Sequence, residues 1–99
     1  MRKKIKEEEE LIAQEVLTYY VNWKTETVQT FEKILADLVE IELYEECVLV
    51  RENIEFLRNL TIFEILDQNG DVLLPYTFSH FTEQTKNIFR KYYDLTEYE

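Results

Sequence analysis

Ninety-nine residues, 45% apolar and 32% charged, suffice for one folded domain with one core and are too few for two. One Gly and one Pro leave too few turn residues for a β-sandwich or barrel, so composition favours a mainly helical fold. Net charge is −10, and from Glu7 onward seven basic residues face 21 acids; that balance repels nucleic-acid backbone and anionic lipid and attracts a basic protein surface.

The opening MRKKIKEEEE is charged on both sides of a single Ile and reads as neither a signal nor a transit peptide. No apolar run approaches the roughly 18–20 residues that cross a bilayer. The lone Cys47 cannot form an internal disulfide, which fits a reducing compartment. These features lead to the expectation of a cytoplasmic protein without membrane contact or direct DNA or RNA binding. A core this small makes self-association into a homo-oligomer a natural supplement to stability.

In chain order, Ile5, Ile12, Val16, Tyr19 and Trp23 fall on one helical face, predicting a helix from about residue 5 to 23. Arg2 to Lys6 oppose the helix dipole, so residues 1–5 are expected to fray. Thr25 or Thr27 could cap a second helix, although nothing there is Gly or Pro and an unbroken run is the alternative. Val28, Phe31, Leu35 and Leu38, flanked by Ile34 and Val39, form the next apolar stripe. A further helix is predicted over about 43–58, with Tyr44, Cys47, Val48, Ile54 and Leu57 inward.

Residues 61–66 are β-branched and aromatic, 67–71 carry an Asn-Gly turn signal, and 72–76 form a second apolar run. This pattern predicts a short β-hairpin near residues 61–76. The alternative is that helix continues to Leu66 and Gly70 ends it. After Pro75, Thr77 or Ser79 can cap a last helix whose stripe is Phe78, Phe81, Thr85, Ile88, Tyr92 and Leu95, with Phe89 and Tyr93 beside it. The tail over 96–99 is expected to fray. The whole is read as one helical domain over 1–99, a small bundle of about four helical segments with a central helical hairpin.

No catalytic, cofactor or metal constellation stands out. His80 is the only histidine, flanked by Phe78 and Phe81, and suits packing or capping. Cys47 lies on an inward stripe, where a thiol acts as a small hydrophobe. Asp67-x-Asn69-x-Asp71 begins like a calcium loop, but Val72 and Phe78 replace the required Gly and Glu. The Tyr19-Tyr20 and Tyr92-Tyr93 pairs suit half-buried positions.

Glu42, Tyr44, Glu45, Cys47, Val48, Val50, Arg51, Glu52 and Ile54 are spaced as in a contact hairpin. The segment over 31–57 resembles the UVR motif, a helical hairpin of bacterial nucleotide-excision-repair subunits and some chaperone-associated regulators. Departures are Leu43 for an acid, Cys47-Val48 for paired alanines, and Glu52 for Asp. The resemblance implies a protein–protein role without chemistry. Arg51 would pair with Asp37 or Glu40 across the hairpin, fixing register more than stability. Glu40, Glu42, Glu45, Glu46, Glu52 and Glu55 make an acidic patch near the bend, read either as a solvated face or as a docking surface.

The expected function is a non-catalytic adaptor or regulator that docks a basic protein through Glu40, Glu42, Tyr44, Glu45, Arg51 and Glu52. The alternative is an acidic inhibitor that mimics nucleic acid and blocks a DNA- or RNA-binding protein.

Overall fold

A computed structural model describes residues 2–68 and 70–94, with side chains from Gln14 onward. Among the described residues four α-helices follow in order: α1 (Arg2–Glu40), α2 (Tyr44–Asn59), α3 (Ile62–Asp67) and α4 (Glu83–Arg90). A single 3-10 turn (Phe78–His80) precedes α4. The mainly α class holds.

The two helices expected over residues 5–39 are one. Threonines that could have capped a new start bond backward instead: the Thr25, Thr27 and Thr30 hydroxyls donate to the Val21, Trp23 and Glu26 carbonyls at 3.0, 2.6 and 2.9 Å. A hydroxyl satisfied one turn back leaves the helical ladder intact. The backbone is helical from Arg2, and the expected fraying of residue 1 and of 96–99 lies outside the described residues. At about 1.5 Å per residue, the 39 residues of α1 account for the molecule's 61 Å length.

The core sits where the second half of α1 meets α2. Phe31, Ile34 and Leu38 from α1 pack with Cys47, Val50, Ile54 and Leu57 from α2, and Leu60, Ile65, Phe81, Ile88 and Phe89 close it. Tyr20 is the first described side chain packed on this core. Val16 and Tyr19, on the expected inward face, are exposed. Phe89 meets the rings of Phe31, Phe78 and Phe81 at 6.1, 6.4 and 5.1 Å. Such pairs add about 0.5–1.5 kcal/mol each beyond area burial.

Among the described residues the expected β-hairpin over 61–76 is not seen. Thr61 starts α3 instead, through a reciprocal capping box: its hydroxyl accepts the Glu64 N–H at 3.1 Å, and the Glu64 carboxylate accepts the Thr61 N–H at 3.2 Å. Gly70, at φ 76°, donates its N–H to the Ile65 carbonyl at 2.9 Å and closes the helix end. The residues 71–76 then run without regular structure, held by Asn53. Its amide donates to the Tyr76 carbonyl at 2.8 Å and accepts the Tyr76 N–H at 3.0 Å, copying a strand partner from a helix side chain.

The last helix is also shorter than its apolar stripe. A 3-10 turn forms first, with His80 Nδ1 accepting the Thr77 N–H at 3.0 Å, so His80 caps as expected. The chain is extended at Phe81 and Thr82 before α4 begins. Phe81, Thr85 and Ile88 are buried, Tyr92 is partly exposed, and Leu95 lies outside the described residues.

Candidate functional site

The bend between α1 and α2 is built by a Schellman closure. The Leu43 N–H donates to the Leu38 carbonyl at 3.0 Å and the Glu42 N–H to the Val39 carbonyl at 3.1 Å. This geometry needs a left-handed residue between them, and Glu42 occupies it at φ 62°. Among the described residues Glu42 is the one non-glycine with positive φ. Glycine is the usual occupant, and a side chain there costs about 1 kcal/mol. Leu43 packs back on the core and fixes the return path of the chain.

Around this bend the exposed apolar side chains are Val39, Ile41, Tyr44 and Val48. Tyr44 and Val48 correct the sequence reading, which placed both inward. The inward stripe of α2 is Cys47, Val50, Ile54 and Leu57, leaving Val48 turned about 100° away from Cys47. Tyr44 opens α2 beyond the last residue of α1, so no partner helix covers it; it is 58% exposed, and Val48 47%.

One turn apart, Tyr44 and Val48 share an outer face with Arg51, Glu52 and Glu55, at i+3, i+4 and i+7 from Val48. Glu40, Glu42 and Glu45 are exposed beside them. All six expected docking residues (Glu40, Glu42, Tyr44, Glu45, Arg51 and Glu52) are therefore solvent-facing. Arg51 does not pair with Asp37 or Glu40. The cross-hairpin ion pair is Arg58–Glu32, and Asp37 instead accepts the Tyr92 hydroxyl at 2.9 Å. That bond, then partial burial and then the carboxylate charge, raise the Tyr92 pKa.

No protein-family model, curated protein or solved structure matches this chain.

Glu46 leaves the acidic patch altogether. It is buried, and its carboxylate accepts the Thr82 backbone N–H at 2.7 Å, capping α4 from another helix. Burial alone would raise its pKa, but the Thr82 backbone bond and the Thr82 and Thr85 hydroxyls outweigh that and lower it. Glu52 stays exposed, and its carboxylate beside the Tyr76 hydroxyl, with slight desolvation, raises the Tyr76 pKa. Sequence reasoning missed the buried polar pair Glu46 and Asn53, whose partners lie 36 and 23 residues away. Cys47 is fully buried, as its stripe predicted. Among the described residues no cluster could hold a metal ion, and no helix is long and apolar enough to cross a membrane.

Proposed function

We propose that this chain is a non-catalytic adaptor or regulator, cytoplasmic, whose hairpin bend docks a basic protein surface. The observation that carries this reading is the exposed Tyr44–Val48 pair, rimmed by Glu40, Glu42, Glu45 and Glu52. An apolar centre with a charged rim suits a docking patch, in which a tyrosine anchors and the rim steers approach. The left-handed Glu42 adds support, because strain held at an exposed carboxylate suggests a use for that carboxylate. The UVR-type pattern over 31–57 is a further support, since hairpins of that family join protein to protein.

In this mechanism the partner's cations are drawn by the rim, and its apolar groups then cover Tyr44 and Val48. Arg51 marks the far end of the patch and orients an acidic group on the partner. The test is affinity capture from the native cell followed by purified binding. Support is a partner whose association rate falls with salt and whose DNA binding, if it has any, persists in the complex. Loss of that DNA binding would favour the nucleic-acid mimic instead, and absence of any protein partner would remove the reading.

A further inference from the structure

The face of α1 that enters the core continues past the body of the protein. Val16 lies about five turns before Ile34, and so on the same side of the helix. Ile34 is fully buried there, whereas Val16 is 38% and Tyr19 65% exposed. The cover ends with α2. The last carbonyls at its end reach Lys24, whose ammonium donates to Arg58 at 3.1 Å and to Leu60 at 2.7 Å. Residues 2–22 are thus a helical arm about 30 Å long. Such a helix is marginal in water while its apolar side stays uncovered, because packing supplies most helix stability.

We propose that this arm pairs antiparallel with the arm of a second copy of the chain, about a two-fold axis at position 14. In the sequence, Ile5 and Ile12 fall on the same helical side as Val16, Tyr19 and Trp23. An axis at position 14 sets position 5 opposite Trp23, position 12 opposite Val16 and Arg2 opposite Glu26. Two-fold symmetry repeats each of these pairs and closes the assembly. Charge selects both the occupant and its direction. Residues 2–6 hold four of the chain's eleven basic side chains, Arg2, Lys3, Lys4 and Lys6. Parallel arms would bring those like charges together, which is unfavourable. The antiparallel register lays them along residues 22–26 of the other copy. Glu26 is exposed there, and α3, packed beside α1, presents the exposed Glu64 and Asp67. The two hairpin bends then point away from each other, with their Glu40 residues roughly 80 Å apart. A partner that repeats its docking site would be held at both ends.

The test is sedimentation equilibrium of the full chain from micromolar to millimolar concentration. The mass should rise from 12.1 kDa toward twice that value. Val16→Glu/Tyr19→Glu should dimerise at least about tenfold more weakly. Its fold should persist, read as unchanged amide NMR shifts over residues 31–89, because neither side chain belongs to the core. Direction is read by oxidation of Arg2→Cys and Glu26→Cys chains, Cys47 being fully buried. A disulfide between copies should form when the two variants are mixed and not when either is alone. A chain that stays monomeric throughout, or a dimer that the Val16→Glu/Tyr19→Glu change leaves intact, would overturn the proposal. Cross-linking of each variant with itself would replace the antiparallel arrangement by a parallel one. Protection of Val16 and Tyr19 only when a captured partner is added would assign the arm to that partner and remove the second copy.

Discussion

Glu46 on α2 and Thr82 at the start of α4 are joined by a 2.7 Å hydrogen bond from the Thr82 N–H to the buried carboxylate. The folded-state pKa of Glu46 lies below its ordinary value of 4.5. Its contribution to stability is therefore complete above that value and is lost as pH falls through the lowered folded pKa. Denaturant melts of wild type and Glu46→Ala at pH 7 should differ by about 1–3 kcal/mol, the cost of orphaning a buried N–H. The difference should shrink once pH drops below about 4. A gap that stays unchanged at every pH below 4.5 at which both chains remain folded would contradict this.

Asn53 is 2% exposed and forms both backbone hydrogen bonds to Tyr76. Asn53→Leu fills similar volume but orphans a buried N–H and C=O, so a loss of about 2–4 kcal/mol is expected. Asn53→Asp keeps the acceptor and removes the donor, and should also destabilise. Urea unfolding followed by circular dichroism measures both. A neutral Asn53→Leu would show that water readily replaces Asn53 at Tyr76.

A Cβ at Gly70 would meet Tyr20 Oη at 2.5 Å, on backbone at φ 76°. The Tyr20 ring tip can yield, whereas the dihedral cannot, so Gly70→Ala should cost about 1–2 kcal/mol. In a Tyr20→Ala background the steric part vanishes and only the backbone part remains. Thermal melts of the four chains in this cycle separate the two contributions.

The helices and the core were legible because periodicity is local: Phe31, Ile34 and Leu38, then Cys47, Ile54 and Leu57, are spaced for one face. The Asn-Gly signal misled over 61–76 because a stronger local signal preceded it, Thr61 with Glu64 three residues on, which starts a helix. Tyr44 was misplaced because its exposure depends on which turn of α2 lies beyond the end of α1, and Val48 because it sits about 100° from Cys47, off the Cys47–Val50–Ile54–Leu57 stripe. Glu46 and Asn53 were illegible for a related reason, since only tertiary packing brings Thr82 and Tyr76 to them. Of the expected docking residues, exposure is what the fold supplies; shared partners are a matter for binding.

Glu42 is left-handed at the bend, so Glu42→Gly should stabilise by about 0.5–1 kcal/mol while removing a rim carboxylate. Greater stability with slower partner association would divide the folding cost from the docking role. Destabilisation would mean that the Glu42 side chain makes a contact which offsets its dihedral.

The most direct measurement is calorimetric titration of the captured partner against wild type and Tyr44→Ala/Val48→Ala. Both side chains are about half-exposed, so the unfolding midpoint should stay nearly unchanged. Affinity should fall at least about tenfold, as for truncation of a central anchor. Equal affinity for the two chains, with both folded, would mean that the hairpin bend is not where the partner binds.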